Sequence, residues 1–327
     1  MNKGKLILVT GGAGYIGSVL VRQLLNAGYR VRVLDNLMFG GESILDLLDN
    51  PKFEFILGDV RNRKDLDQAS KGVFAVAHLA AIVGDPACSA SPELAIEVNR
   101  NGSKMLFESA VKNGVRRFVF ASTCSNYGKM DDSGSYVDEN SPLAPVSLYA
   151  EEKVSFEKYL LEQKSQNVTV PVCLRFSTVY GLSQRPRFDL TVNEFTKELA
   201  LGRELLVYGQ QFWRPYCHVA DLARSVLAVI ETDESKMAFE VFNVGSTKEN
   251  YTKEMIVNEI RKQLPDSRIK YVKKKEDPRD YRVNFEKINK ELDFDITVTV
   301  PEGIRNLVTA IRSGMFIDVD DKKYKNI

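Results

Sequence analysis

Short, almost continuously apolar runs recur through the first 180 residues, separated by amphipathic stretches. They fall at 6–9, 31–34, 53–57, 75–79, 118–121 and 168–174. They lack the strict alternation of a strand with one wet face, so both faces are predicted to be covered, as in a parallel sheet. Between them apolar residues return at helical spacing, as Val19, Leu20, Leu24 and Leu25 do after Gly17. Helices are predicted at 103–113 and 150–161. Strand and helix in alternation predict a doubly wound α/β fold. Past Gly181 the pattern changes: Arg and Pro cluster at 184–188, and further helices are predicted at 252–264 and 301–312. A helix at 218–230 and a strand at 239–245 read as a return to the main sheet.

The turn between the first strand and the first helix reads Thr10-Gly11-Gly12-Ala13-Gly14-Tyr15-Ile16-Gly17. Glycines in that context permit a tight turn, close approach of a pyrophosphate to the backbone, and tight helix–strand packing. Asp35 closes the second apolar run, 18 residues after Gly17. A carboxylate there accepts from ribose hydroxyls and repels a 2′-phosphate, which predicts NAD over NADP. The expected architecture is thus a Rossmann-type parallel sheet with a smaller C-terminal substrate-binding portion. The NAD-binding domain is placed at 1–180 with 218–245 returning to it, and the substrate-binding portion at 181–217 and 246–327.

Composition narrows the classes. The 327 residues are 44% hydrophobic and 27% charged, with net charge +1, so neither nucleic acid nor a membrane surface is an expected partner. The longest apolar stretch, near 73–83, contains His78 and is too short for a membrane span. The start, Met1-Asn2-Lys3-Gly4-Lys5, lacks a signal-peptide core. Cys88, Cys124, Cys173 and Cys217 form no CxxC pair and read as reduced thiols of a cytoplasmic protein. With only two histidines no metal site is expected. Lys270 to Lys275 reads as a solvated basic surface, and the tail at 320–325 as loosely ordered.

Tyr149 and Lys153 share a helix face at i, i+4. A tyrosine is a poor base at neutral pH, and a nearby ammonium lowers its pKa. Thr123 ends the apolar run 118–121 in hydroxyls, where a sheet presents groups to a ligand; its alternative is a cap or turn residue. These three are the candidate catalytic residues.

At this point the chain resembles the extended short-chain dehydrogenase/reductases that modify nucleotide-linked sugars, a family that includes UDP-glucose 4-epimerase. The resemblance rests on residues 10–17, Asp35-Asn36-Leu37, Gly58-Asp59-Val60-Arg61, His78-Leu79-Ala80-Ala81, Asn99-Arg100-Asn101-Gly102, Ser122-Thr123, Tyr149 with Lys153, and Arg214 to Asp221. It implies that Gly11, Gly14, Tyr15, Ile16, Gly17, Asp35 and Asn36 hold NAD, that Asp59 and Val60 lie against adenine, and that Leu79, Ala80 and Ala81 line the cofactor channel. It implies further that Asn99 lies near the cofactor and that Arg214 grips the substrate diphosphate. By the same resemblance Tyr149 would take the proton of a sugar hydroxyl, Lys153 would tune it and bind the nicotinamide ribose, and Thr123 would hold the reacting oxygen. A homodimer, through the helices after Asn99 and Tyr149, is expected on the same ground.

Three departures refine the expectation. The 4,6-dehydratases of the family carry Asp-Glu after the strand-end Thr, where this chain has Cys124-Ser125, which argues against dehydration. Arg175-Phe176-Ser177-Thr178 differs from the usual UDP-galactose epimerase pattern. The segments 181–190, 277–283, 35–39 and 82–88 resemble a subgroup of surface-polysaccharide pathways, some members of which oxidise C4 of a nucleotide-linked heptose. Arg185, Arg187, Arg279 and Arg282 become candidate diphosphate or sugar contacts, with surface charge or ion pairing as the alternative for each. Cys124 is expected to pack, and His218 to be structural. The expected activity is C4 epimerisation of a nucleotide-diphosphate sugar, which retains NAD. A C4 dehydrogenase releasing a 4-keto sugar is the alternative, and a catalytically idle NAD-binding sensor a distant third.

Overall fold

The computed structural model describes residues 4–130, 135–164, 168–273 and 279–326. Met1 to Lys3, and Lys274, Lys275, Asp277 and Pro278 of the segments singled out above, lie outside the described residues. In chain order the strands are β1 (Leu6–Thr10), β2 (Arg30–Asp35), β3 (Phe53–Leu57), β4 (Ala75–His78), β5 (Arg117–Thr123), β6 (Val170–Phe176), β7 (Thr178–Tyr180), β8 (Glu204–Tyr208), β9 (Trp213–His218), β10 (Val241–Val244), β11 (Asn250–Thr252) and β12 (Arg268–Val272). The α-helices are α1 (Gly17–Asn26), α2 (Arg63–Ala69), α3 (Asp85–Ala90), α4 (Pro92–Ile96), α5 (Ser103–Lys112), α6 (Leu148–Leu161), α7 (Thr191–Ala200), α8 (Val219–Glu231), α9 (Glu234–Met237), α10 (Lys253–Gln263), α11 (Glu286–Leu292) and α12 (Val300–Arg312).

Seven strands form one sheet in the order β3-β2-β1-β4-β5-β6-β10, with every pairing parallel. Successive residues of β1 serve opposite faces. Ile7 and Val9 pack with Leu20 and Leu24 of α1 and Leu222 and Val226 of α8. Leu6 and Leu8 join Leu66 of α2, Leu106 and Phe107 of α5, and Phe156 and Leu160 of α6. Two covered faces are why these strands read as nearly continuous apolar runs, broken toward the sheet edge by Arg32 of β2 and Glu54 of β3, which pair with each other. The chain leaves β1 toward β2 and β3, then crosses back to place β4 on the other side of β1. The carboxyl ends of β1 and β4 therefore diverge into a crevice.

A third apolar cluster lies beyond Thr178. It joins Tyr180, Val192 and Phe195 to Leu205, Val207, Ile256, Ile260, Ile304 and Leu307. A three-stranded sheet (β7-β9-β11) and a two-stranded one (β8-β12) flank it. The strands β8 and β12 have wet faces, with Leu206, Tyr208 and Tyr271 exposed, so neither contains a continuous buried run. Lys270 stands on β12. Helix α8 and strand β10 do return to the large sheet, β10 pairing with β6.

The tail differs from expectation. A short 3₁₀ turn, Lys322–Tyr324, packs Tyr324 against Phe188 and Phe316, and the Phe188 N–H donates to the Tyr324 carbonyl at 2.9 Å. Aromatic packing and the pairing of Asp320 with Lys197 and Arg203 hold a segment expected to be loosely ordered. Among the described residues no helix is long and apolar enough to cross a membrane, and no group of three or more His, Cys, Asp or Glu is placed to hold a metal ion.

His78 closes β4 in the core, among the rings of Phe118, Phe120 and Phe156. Its Nδ1 lies 2.7 Å from Thr10 Oγ1 and its Nε2 2.8 Å from Ser103 Oγ. Ser103 donates its own proton to the Asn99 carbonyl, so the ring donates from Nε2 and accepts at Nδ1. The neutral imidazole thus ties β1, β4 and α5 together. Burial pulls its pKa down to about 3. The unfolded chain takes up that proton near pH 6.5 while the fold resists, so stability is full above about 6.5 and declines as pH falls toward 3. His218, the other histidine, is shifted the same way. Thermal midpoints measured from pH 7.5 to 5 should fall with acidification in the wild type and fall less steeply in His78→Gln.

Candidate active site

A cleft of about 360 Å³ occupies the crevice between β1 and β4. Its floor is backbone. Gly11 has φ +74°, and a Cβ there would stand 2.8 Å from the Ala80 amide nitrogen. A Cβ on Gly17 would overlap the Gly11 carbonyl. The turn is thus pressed onto the segment after β4, and only glycine fits. Gly14, Tyr15, Ile16, Leu79, Ala80 and Ala81 also line the cleft. The Tyr15 hydroxyl is already committed, donating to the Gly181 carbonyl at 2.5 Å and accepting from Asn193 Nδ2 at 3.1 Å.

Asp35 stands at the end of β2 and also lines the cleft. Its Oδ2 accepts from Ala13 N at 3.0 Å and its Oδ1 from Leu37 N at 2.9 Å. Burial pushes its pKa up, against those two backbone bonds. Each oxygen keeps a second lone pair for a ribose hydroxyl. Asn36 Nδ2 donates to Asp59 Oδ2, and Asp59 pairs with Arg61, which holds its carboxyl down at about 2. Asp59 and Val60 form the far wall. A glycine turn, a strand-end carboxylate and this pocket fit an adenine dinucleotide.

The opposite end is formed by β5 and α6. Ser147 caps α6, accepting from Ala150 N, which places Tyr149 in the first turn. Lys153 is buried; its Nζ donates to the Ala121 carbonyl at 2.8 Å and lies 5.8 Å from the centre of the Tyr149 ring. Thr123 Oγ1 accepts from Ser125 N at 3.1 Å, so it does cap the turn that follows, and its own proton remains free to donate. Thr123, Tyr149 and Lys153 all line the cleft. Burial, reinforced by Cys88 and Asp85, pushes the Tyr149 phenol up, and burial pulls Lys153 down to about 8. The expected lowering of Tyr149 by Lys153 is therefore not seen in the protein alone, because desolvation dominates.

The arginines separate. Arg185, Arg187 and Arg279 line the cleft. Arg187 is paired with Asp189 at 2.9 and 2.5 Å, and Arg279 with Asp85 at 2.9 Å. Arg185 is held by neutral oxygens, Asn326 Oδ1 at 2.5 Å and the Lys325 carbonyl at 2.9 Å, and lies over the Phe39 ring. Its Nε is buried without a partner among the described residues, and burial pulls its pKa down to about 10. Three expected residues lie off the cleft lining. Arg214 packs on Tyr281 and donates to the Trp213 carbonyl, and Arg282 packs on Tyr136 and Trp213. Aromatic faces take up both cations. Asn99, in a π-helical turn (Glu97–Gly102), donates to the Ile82 carbonyl and accepts from Ile82 N, so it braces the segment after β4. Cys124 is buried, its Sγ 3.2 Å from the Arg175 carbonyl, and His218 caps α8 by accepting from Ala220 N.

Asp85, Ser125 and Asn326 also line the cleft, and none was among the residues expected from sequence. Asp85 lies within the unusual segment 82–88, the one signal that pointed to it.

A family model described as "NAD dependent epimerase/dehydratase family" matches residues 7–245. A dTDP-glucose 4,6-dehydratase of an Actinoplanes species is 30% identical over 94% of this chain and 98% of its own. The structure of UDP-glucose 4-epimerase from Thermotoga maritima with UDP-glucose is 28% identical, covers 95% of this chain and 100% of that one, and superposes with a TM-score of 0.83. UDP-glucuronic acid 4-epimerase from Bacillus cereus, in complex with UDP-glucuronic acid and NAD, is 26% identical with a TM-score of 0.84, covering 94% of this chain and 99% of that one.

Replacing Asp35 by Ser removes the ribose acceptor and the 2′-phosphate repulsion together. Titration calorimetry should show NAD binding weakened by roughly tenfold or more, about 1.4 kcal/mol, with NADP affected less.

Proposed function

The chain belongs to the NAD-dependent epimerase/dehydratase family, and from that premise we propose that it epimerises a nucleotide-diphosphate sugar at C4 through a transient 4-keto form. NAD, its cofactor, supplies when bound a hydride acceptor and donor. Gly11, Gly14 and Gly17 would present the turn to its pyrophosphate, Asp35 would hold the adenosine ribose, and Asp59 and Val60 would flank the adenine. Lys153, its ammonium fixed by the Ala121 carbonyl, is placed to hold the nicotinamide ribose.

The reading is carried by Thr123, Tyr149 and Lys153 meeting on one wall of the cleft. Tyr149 takes the C4 hydroxyl proton and returns it after the ring has turned. Thr123 accepts from Ser125 N and uses its own hydroxyl proton to donate to the C4 oxygen. The substrate diphosphate needs a cation whose charge no carboxylate offsets, and Arg185 meets that need better than Arg187 or Arg279. The portion around the third apolar cluster, with the 183–189 loop, would carry the nucleotide. Elimination of water is disfavoured because the two positions after Thr123 hold a packed thiol and a serine, with no acid–base carboxyl pair.

The test is incubation of the purified protein with UDP-, GDP-, dTDP- and CDP-sugars, following NADH absorbance and products by NMR. A C4 epimer without net NADH supports epimerisation; a 4-keto product with stoichiometric NADH assigns a C4 dehydrogenase instead. Tyr149→Phe should lower turnover by roughly 10²–10⁴-fold with NAD binding retained, as expected for loss of a positioned proton acceptor. Unchanged turnover would remove Tyr149 from the chemistry.

A further inference from the structure

The segment after β4 places a carboxylate in the cleft that neither cofactor binding nor proton transfer uses. Asp85 follows Gly84, which sits at φ +91°, and precedes Pro86, so its backbone is closely constrained. Upstream, Asn99 holds Ile82 by both amide bonds. One carboxylate oxygen, Oδ2, is paired with Arg279 Nη1 at 2.9 Å. The other, Oδ1, is shielded from solvent and has no hydrogen-bond partner among the described residues.

An ionised carboxylate oxygen buried without a donor is unfavourable unless a ligand supplies one. It accepts only, so the ligand group must donate, as a sugar hydroxyl does. Asp85 lines the same cleft as Tyr149 and lies close enough for its charge to act on the phenol, so it is assigned to the sugar end. The pairing also reassigns Arg279. Its charge is offset by Asp85, which makes it a poor diphosphate clamp and a good brace for the carboxylate.

We propose that Asp85, braced by Arg279, is a specificity-determining residue that accepts a hydrogen bond from a ring hydroxyl of the sugar and restricts the enzyme to neutral sugars over uronates. A second carboxylate brought against the unpaired Asp85 oxygen would add a like charge and no donor, whereas a hydroxyl supplies the donor. The inference rests on the nucleotide-sugar reading above.

The experiment uses the NAD-loaded full chain. Binding of UDP-glucose, UDP-glucuronate, UDP and NAD is measured by calorimetry for wild type, Asp85→Asn and the double variant Asp85→Asn/Arg279→Gln. The double variant removes the pair together and so serves if the single one does not fold. Wild type should bind UDP-glucose at least tenfold more tightly than UDP-glucuronate. Asp85→Asn should reduce that ratio by tenfold or more and leave UDP and NAD affinities within about twofold. If turnover is found, the same ratio in kcat/KM should shift in parallel. A ratio unchanged by the substitution, or a wild type that prefers the uronate, overturns the role of Asp85. Wild type that binds UDP and neither sugar nucleotide more tightly overturns it as well. Failure to bind any of the three uridine nucleotides while the wider nucleotide panel also gives no turnover counts against the nucleotide-sugar reading itself.

Discussion

The site depends on how closely two stretches of backbone approach, the turn after β1 and the segment after β4. Gly11 lies so near Ala80 that no side chain could separate them. The floor of the cleft is therefore main chain, which a pyrophosphate can approach closely. Just below, Thr10 and His78 face each other in register and are bridged by a hydrogen bond. Asn99 pins the next residues through Ile82. These polar contacts, one at the strand ends and one just beyond them, brace the segment after β4.

The opposite wall is held by a second polar network. Tyr149, Lys153 and Glu157 recur every fourth residue on α6, so they lie along one face. Glu157 is ion-paired with Arg175 of β6 and accepts from Ser122 Oγ at 2.9 Å. Arg175 donates to the Tyr127 hydroxyl, which donates in turn to Asn243 Oδ1 of β10. Each buried charge has its partner, the condition under which such a network rigidifies rather than destabilises. It ties α6 to β5, β6 and β10, and so keeps Tyr149 in register with Thr123.

The large sheet was legible because a doubly covered strand leaves a mark every reader of periodicity can see. Its ends were less so. The apolar run stops at Leu174, yet β6 continues to Phe176, because Arg175 is interior and neutralised by Glu157. Strands β8 and β12 were missed because a half-wet pair carries no continuous run. In the site, Gly11, Gly17, Asp35, Thr123, Tyr149 and Lys153 were all visible, since each is defined by type and by position relative to a local element. Asp85 was only hinted at by an unusual segment.

The sequence by itself determined the alternation of elements, the dinucleotide turn and the types of side chain, Thr123, Tyr149 and Lys153, that line one end of the cleft. Those depend on hydrophobic period, backbone freedom and side-chain type, which are properties of short stretches. Tertiary structure alone decided which cations are available. Arg185, Arg187, Arg214, Arg279 and Arg282 are the same residue to a reader of the chain. Folding sets Arg187 against Asp189, Arg279 against Asp85, and Arg214 and Arg282 against aromatic rings, and it leaves Arg185 among neutral oxygens. Charge pairing acts over a few ångströms in space, and for most of these groups the deciding neighbour is remote along the chain.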